Sequence, residues 1–296
     1  MQDPAADQSE NGNAQTMPDA DEKEIIVESR GLRHAYPGSD DVLKGIDLVI
    51  RKGEYTIITG ANGSGKSTFA LHLNGLLKPS AGTLRINGTD ATVRRNIPAI
   101  RRTVGIVFQN PYMQFVGNTV EEDIAFGPEN LALPRAEIKK RIDEALELVG
   151  MTAFRDSDPS SLSGGEAQRA AIAGVLAMDP EVIVFDEVAS MLDNASVRKL
   201  REIIRRLREK GKTVIFISHN PADFADADKI VIFDGGRISF TGTPAEYAGS
   251  GGKLPDIGEL MRLLKERGYP TDARITTPQE AVKLLLPLMR PPGGEY

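Results

Sequence analysis

Alternating apolar and polar stretches predict an α/β domain over residues 24–245. Continuous apolar runs are typical of strands covered on both faces of a sheet, whereas longer segments with apolar residues at helical spacing are typical of helices packed on one face. The predicted strands are Tyr55–Thr59, Thr83–Asn87, Val104–Phe108, Val182–Phe185 and Thr213–Ser218. The predicted helices are Phe69–Leu77, Thr119–Phe126, Arg135–Val149, Leu162–Met178 and Asn194–Glu209.

Both ends of this domain show a different pattern. Residues 24–32 and 42–50 alternate apolar and polar positions and predict an antiparallel pair, while 229–233 and 237–240 predict a hairpin around Asp234-Gly235-Gly236. Beyond a glycine-rich hinge at 249–252, two short helices are expected at Ile257–Leu264 and Pro278–Leu286, the second capped by Thr277, Pro278 and Glu280. We expect residues 248–296 to form a small packing or dimerisation appendage.

The charge of the chain is concentrated at its start. The formal net charge is −6, and residues 1–24 hold seven acidic residues against one lysine, so that the rest is neutral. Residues 1–23 are expected to be a disordered acidic tail and not a signal peptide. The neutral body predicts no nucleic-acid partner, and the absence of cysteine excludes disulfides and thiol chemistry. No apolar run reaches the roughly 20 residues of a membrane span, so any membrane role is expected to be peripheral.

A phosphate-binding loop lies between the strand at 55–59 and the helix that follows. The sequence fits G-x-x-x-x-G-K-[ST], in which glycines turn backbone N–H groups toward an anion at a helix N-terminus. We expect Lys66 to bridge the β- and γ-phosphates and the Ser67 hydroxyl to bind Mg²⁺. The residues expected to contact the nucleotide are Gly60, Ala61, Asn62, Gly63, Ser64, Gly65, Lys66, Ser67 and Thr68.

Polar groups follow three other predicted strands. Asp186 and Glu187 end the apolar run at 182–185, and we expect Asp186 to hold Mg²⁺ and Glu187 to activate the water that attacks the γ-phosphate. Gln109 and His219 follow the strands at 104–108 and 213–218. Because ligands gather at the carboxyl ends of parallel strands, Gln109 is placed to touch Mg²⁺ or the water, and His219 to bind the γ-phosphate.

Three further signals each have two interpretations from the residues alone. Tyr36 is either a packing tyrosine or an aromatic that stacks on a nucleotide base. Ser163 with Glu166 has the spacing of a capping box, while Gly164 and Gly165 beside it also let a phosphate approach the helix N-terminus. The apolar segment at 110–134 either docks a partner helix or packs against its own domain.

The order of these motifs resembles that of the ATPase domains of ABC transporters over about residues 24–245. The resemblance implies an α/β P-loop ABC ATPase domain at 24–247, with a RecA-like parallel sheet core, an antiparallel β subdomain and an α-helical signature subdomain, followed by the small helical appendage. It makes Tyr36 the base-stacking aromatic, Gln109 the Q-loop and His219 the switch histidine. It also implies that Ser163, Gly164, Gly165 and Glu166 of the signature, with Asp193 of the D-loop at 190–193, meet the ATP of a second subunit.

A closer resemblance is to the EcfA ATPases of energy-coupling factor (ECF) transporters, which import vitamins and metal ions. It is carried by Val107-Phe108-Gln109-Asn110-Pro111, by residues 125–131 (AFGPENL), by residues 171–178 (AIAGVLAM) and by Ser190-Met191-Leu192-Asp193. The resemblance implies Mg²⁺-dependent ATP hydrolysis in a homodimer or heterodimer of ATPases. It further implies a transmembrane scaffold protein, a substrate-binding membrane subunit and a position at the cytoplasmic face of the cell membrane.

The sequence departs from the ECF pattern at a few positions. Glu166 stands where glutamine is usual, Tyr112 and Met113 stand where acidic or amide residues are usual, and Ala189 and Asn194 flank the D-loop in place of Thr and Pro. Two other functions remain open at this point: the ATPase of another ABC importer or exporter, and a soluble ABC ATPase outside transport. The resemblance to the ECF family implies that a separate membrane protein selects the transported solute.

Overall fold

The computed structural model describes residues 24–224, 226–250, 260–261, 263–265, 267–269, 271 and 278–288. The acidic tail predicted at 1–23, the cap predicted at Thr277 and residues 257–259 and 262 of the helix predicted at 257–264 lie outside the described residues. The described residues of that prediction, 260, 261, 263 and 264, are helical.

A six-stranded sheet forms the centre of the domain, in the order β10-β9-β3-β8-β7-β6. Five of its strands are parallel, and β10 closes one edge as the antiparallel partner of β9, which confirms the predicted hairpin. The strands are β3 (Tyr55–Gly60), β6 (Val104–Val107), β7 (Val182–Asp186), β8 (Thr213–Ile217), β9 (Lys229–Asp234) and β10 (Arg237–Gly242).

A separate four-stranded antiparallel sheet contains the predicted pair at the start of the domain. Its order is β2-β1-β4-β5. The strands are β1 (Ile25–Ala35), β2 (Asp41–Arg51), β4 (Ala81–Ile86) and β5 (Thr89–Asp90).

Helices lie between the strands and after them, in the order that the apolar spacing predicts. Within the described residues they are α1 (Lys66–Leu73), α2 (Ile97–Thr103), α3 (Val120–Asn130), α4 (Arg135–Val149), α5 (Gly164–Ala177), α6 (Asn194–Glu209), α7 (Pro244–Gly249) and α8 (Pro278–Leu288). The bounds predicted for α4 and α6 are confirmed, whereas α2 and α7 were not predicted.

The prediction of a helix at Phe69–Leu77 is wrong at both ends. The helix α1 already begins at Lys66, inside the phosphate-binding motif, and it ends at Leu73. Gly75 then takes a left-handed conformation with φ +68°, and the N–H groups of Leu76 and Leu77 both donate to the Leu71 carbonyl. A glycine in this conformation commonly terminates a helix, because it satisfies the last carbonyls without steric cost.

The central sheet is buried on both faces, as its continuous apolar strands predict. Phe185 and Phe216 pack on one face in a core shared with α3–α6, while Val184 and Ile215 pack on the other face in a core shared with α1 and the antiparallel sheet. A sheet fixed from both sides is a rigid support for groups at its strand ends. Within the described ranges, no helix is long and apolar enough to cross a bilayer.

Candidate active site

Four neighbouring parallel strands have their carboxyl ends on the same side of the central sheet and bring the predicted groups together there. In the order β3-β8-β7-β6, they lead into the phosphate-binding loop, His219, the Asp186–Glu187 pair and Gln109. An open cleft of about 370 Å³ lies on this side of the sheet. Its lining consists of Val42, Asn62, Gly63, Gly65, Lys66, Ser67, Thr68, Gln109 and Glu187.

The loop from β3 into α1 requires glycine at two positions. Gly60 has φ +139°, and a Cβ there would lie 2.0 Å from the carbonyl oxygen of Phe233. Gly65 has φ +104°, and a Cβ there would lie 2.8 Å from a methyl group of Leu43. Neither position has room for a side chain, so the loop passes close to β9 and β2 before α1 begins. An anion in the cleft would meet the positive end of the α1 dipole.

Lys66 is the buried cation of the cleft. Its side chain is only 3% exposed, and Nζ donates to the carbonyl oxygens of Gly60 at 2.9 Å and Ala61 at 3.0 Å. The same Nζ lies 3.6 Å from Oε1 of Glu187. The ammonium group is therefore held by the loop and beside the predicted general base.

Ser67 and Asp186 form a pair of oxygen ligands. The Ser67 hydroxyl donates to Oδ1 of Asp186 at 3.0 Å. Burial raises the pKa of Asp186, and the hydrogen bond from Ser67 offsets part of this rise. The nearby charge of Glu187 raises this pKa further, and Lys66 lowers it. Hydroxyl and carboxylate oxygens are hard ligands of the kind that Mg²⁺ prefers, so these two residues fit that ion.

A left-handed backbone conformation at Glu187 explains how the side chains of two successive acidic residues reach the same cleft. Neighbouring side chains of a strand point to opposite faces, and Asp186 is the last residue of β7. Glu187 has φ +51°, a conformation that is uncommon outside glycine, and its N–H donates to the carbonyl of Ile217. The turn brings Glu187 into the cleft, where Oε1 lies 3.1 Å from Nε2 of His219. Such backbone outliers are concentrated at functional sites.

Gln109 is connected to Glu187 through Ser190. Its Nε2 donates to the Ser190 hydroxyl at 3.0 Å, and that hydroxyl donates to the backbone carbonyl of Glu187 at 2.7 Å. The structure therefore joins the glutamine after β6 to the turn after β7.

A buried carboxylate that the sequence analysis missed supports the segment with His219. The Asp223 side chain is 2% exposed and accepts hydrogen bonds from two sides. Arg201 donates to Oδ1 through two nitrogens at 2.8 and 2.7 Å, and the Ser218 hydroxyl donates to Oδ2 at 2.5 Å. Because Ser218 directly precedes His219, this network fixes the backbone from which the histidine projects.

We expect Asp223→Ala to destabilise the fold, because it leaves the Ser218 hydroxyl and the Arg201 guanidinium without their acceptor. Loss of one partner of a buried, charged hydrogen-bond network costs about 2–4 kcal/mol. The unfolding temperature should fall by roughly 5 to 10 °C, which differential scanning fluorimetry would measure. Asp226→Ala is the matched control, because Asp226 is an exposed carboxylate of the same loop. Equal unfolding temperatures for the two variants would contradict the prediction.

Tyr36 lies beside the phosphate-binding loop. Its hydroxyl is 3.3 Å from Oγ1 of Thr68, and the residue is 39% exposed. The ring packs edge-on against His34, with centroids 4.8 Å apart, and His34 packs in the same way against His72 of α1. Burial lowers the pKa of His72. Tyr36 thus packs against His34 and is partly exposed. This position is compatible with a packing tyrosine and with an aromatic that stacks on a nucleotide base.

The residues 163–166 and Asp193 do not reach this cleft. None of them lines it, and their hydrogen bonds are local ones at the starts of α5 and α6. Asp193 accepts a hydrogen bond from the N–H of Ser196 at 2.9 Å. The two helix starts touch each other, since a Cβ on Gly165 would lie 2.3 Å from Oγ of Ser196. They form a second surface that is distinct from the loop.

The apolar segment at 110–134 contains both buried and exposed apolar side chains. Val120 and Ile124 are fully buried in the core, whereas Met113, Val116 and Phe126 are 84%, 62% and 52% exposed. Val116 and Phe126 line a small groove against α5. The start of the segment is fixed by two hydrogen bonds, because Gln114 accepts from the Phe108 N–H and the Tyr112 hydroxyl donates to the Leu162 carbonyl at 2.8 Å.

Comparison with known proteins decides the family of the chain. Residues 43–190 match the family model described as ABC transporter. The chain belongs to the ABC transporter family. The energy-coupling factor transporter ATP-binding protein EcfA of Methanosarcina acetivorans is 47% identical over 249 residues, which cover 82% of this chain and 91% of that protein.

Two solved ABC transporter structures extend the comparison. CbiO1 from Clostridium perfringens, part of the ABC transporter complex cbiONQ, matches with a TM-score of 0.72 and 33% identity over 83% of this chain and 96% of its own. A dimeric post-hydrolysis state of the ATP-binding cassette MJ0796, bound to ADP and Pi, matches with a TM-score of 0.67 and 28% identity over 74% of this chain and 98% of its own. The expected ABC ATPase fold is confirmed, and the chain is an ATP-binding ATPase of this family.

Proposed function

We propose that this ABC transporter protein is the ATP-hydrolysing subunit of an ECF importer, which couples ATP binding and hydrolysis to uptake of a vitamin or a metal ion. The single observation that carries the ATPase function is the convergence of Lys66, Asp186, Glu187 and His219 at the cleft after four adjacent parallel strands. The likeness to EcfA over most of both chains, together with the likeness to CbiO1, supports the assignment to an ECF importer.

In this proposal the cleft binds the triphosphate of ATP. The backbone N–H groups at 60–68 and the Lys66 ammonium bind the β- and γ-phosphates, and Tyr36 stacks on the base. Glu187 takes the proton of the attacking water as the oxygen bonds to the γ-phosphorus and the bond to ADP breaks. His219, 3.1 Å from Glu187, binds the γ-phosphate and orients the carboxylate. Gln109 orients the water.

Ser67, Asp186 and Gln109 are the residues that would hold Mg²⁺, on the strength of the oxygen pair that Ser67 and Asp186 already form. When bound, the ion neutralises charge on the phosphate oxygens.

A second ATPase subunit completes each site in the proposed dimer. Ser163, Gly164, Gly165 and Glu166 present the start of α5 away from their own cleft, where a neighbouring subunit in head-to-tail arrangement would place its ATP. Asp193 lies at the adjacent start of α6. Binding of ATP would then join the subunits and hydrolysis would release them, which is a shift in population driven by the γ-phosphate.

The exposed apolar side chains Met113, Val116 and Phe126 are the proposed docking surface for a transmembrane scaffold protein. Gln109 directly precedes the segment that carries this surface, so movement at the nucleotide would reach the membrane partner. The proposal places the protein peripherally at the cytoplasmic face of the cell membrane, with a substrate-binding membrane subunit in the complex. Residues 248–296 are proposed to contribute to dimerisation, and Leu263, Val282 and Leu286 of this region are exposed apolar residues.

Affinity purification of the tagged chain from native membranes tests the function. Recovery of a transmembrane scaffold and a small substrate-binding membrane protein is the expected result, because the exposed apolar surface at 113–126 is proposed to bind the scaffold. Met113→Glu with Val116→Glu should abolish this recovery without loss of ATPase activity in the isolated subunit. Recovery of a soluble binding protein with two permeases would overturn the ECF assignment, and a salt-sensitive complex with DNA would overturn the role in transport.

A further inference from the structure

Glu166 accepts hydrogen bonds from both the backbone N–H and the hydroxyl group of Ser163. One carboxylate oxygen, Oε2, accepts from the Ser163 N–H at 2.9 Å and from the Ser163 hydroxyl at 2.6 Å. These bonds lower the pKa of Glu166, so the group is a carboxylate at neutral pH. A carboxylate only accepts hydrogen bonds, and a serine hydroxyl has one hydrogen to donate. The hydroxyl hydrogen is therefore already used within the subunit.

The charge of Glu166 also lies where an anion is expected. The proposed dimer brings the γ-phosphate of the partner subunit to the Ser163 hydroxyl and to the N–H groups of Gly164 and Gly165. A negative charge in contact with that hydroxyl repels the phosphate across a solvent-exposed boundary. Arg169 and Lys199 interact electrostatically with Glu166 and offset part of its charge.

We propose that Glu166 weakens ATP-driven dimerisation, by holding the Ser163 hydroxyl hydrogen and by repelling the partner's γ-phosphate. This inference rests on the proposed function. It makes Glu166 a residue that sets the ATP concentration at which the subunits join. In Glu166→Gln an amide oxygen at the Oε2 position still accepts from the Ser163 N–H and from the hydroxyl, but it carries no charge. A neutral acceptor holds the Ser163 hydrogen less strongly than a carboxylate does, so the hydrogen passes to phosphate more readily, and the repulsion is gone.

A second capping box among the described residues provides a matched control. At the start of α7, Oε2 of Glu246 accepts from the N–H of Thr243 at 2.7 Å and from its hydroxyl at 3.1 Å. Glu246→Gln removes the same charge from the same helix position, and this helix lies outside the candidate site. Any effect of capping alone should therefore be common to both variants.

The experiment measures dimerisation against ATP concentration in a Glu187→Gln background, in which the bound nucleotide persists. Light scattering would follow the purified chain with any ATPase partner recovered from membranes. Adding Glu166→Gln should lower the ATP concentration for half-maximal dimerisation roughly three- to tenfold at low salt. The difference should shrink as salt rises, because exposed charges are screened. Adding Glu246→Gln should leave the midpoint unchanged.

The outcomes separate this inference from the proposed function. If ATP produces no dimer in the Glu187→Gln background, the head-to-tail function itself fails. If a dimer forms but Glu166→Gln leaves the midpoint unchanged or raises it, the inference about Glu166 fails while the function stands. Thermal unfolding of the Glu166→Gln and Glu246→Gln variants detects any destabilisation of the helices. A midpoint shift caused by such destabilisation would not shrink with rising salt as an electrostatic shift does. A midpoint shift that does not depend on salt would overturn the electrostatic part.

Discussion

Replacing Glu187 by Gln is expected to slow ATP turnover by about 10²- to 10³-fold while ATP binding survives, because general-base catalysis contributes a factor of this size. The amide keeps nearly the same shape beside Lys66 and His219 but has no basic oxygen for the water proton. Release of phosphate measures the turnover, and titration with a fluorescent ATP analogue measures binding.

Glu144→Gln is the control for this substitution. Glu144 is an exposed carboxylate on α4 and forms a solvated pair with Lys140, so the same change in charge and shape should leave turnover unaffected. Hydrolysis at the normal rate in Glu187→Gln would remove Glu187 from its assigned role. Loss of ATP binding would instead make it a binding residue.

Lys66→Ala is expected to weaken ATP binding by about 30-fold or more, because truncating one partner of a buried charge pair costs at least 2 kcal/mol. Lys66 is 3% exposed and donates to two loop carbonyls, so the substitution removes both the cation and a support of the loop. The binding titration described above measures the effect.

Lys78→Ala is the control that distinguishes the loss of a cation inside the cleft from the loss of any positive charge. Lys78 is an exposed cation after α1, and its loss should change ATP affinity less than about twofold if only nearby charges matter. Thermal unfolding identifies a variant that fails to fold. A folded Lys66→Ala protein with unchanged affinity for ATP would contradict the proposed role of the lysine.

The arrangement of the cleft could be predicted from the sequence because its groups follow directly from their strands. Asp186 and Glu187 end a continuous apolar run, and residues 60–67 fix a loop by their glycines. Parallel strands then place their carboxyl ends on the same side of the sheet. The start of α1 was predicted too late, because the helix begins among glycine and lysine residues that carry no apolar pattern.

The supporting contacts could not be predicted in this way. Asp223 meets Arg201 only because α6 packs against the segment after β8, and the spacing of 22 residues carries no signal of that contact. The apolar segment at 110–134 likewise has a composition that fits both burial and exposure. Only the packing of α3 shows that Ile124 is buried while Phe126, two residues later, is half exposed.

The hydrogen bond from Tyr112 to Leu162 has a mechanical consequence. Tyr112 lies between the cleft glutamine and the exposed apolar side chains, and Leu162 lies two residues before the start of α5. A displacement of residues 110–116 must therefore either pull Leu162 along with it or break this bond. While the bond is intact, the proposed docking surface and the proposed dimer surface cannot shift independently.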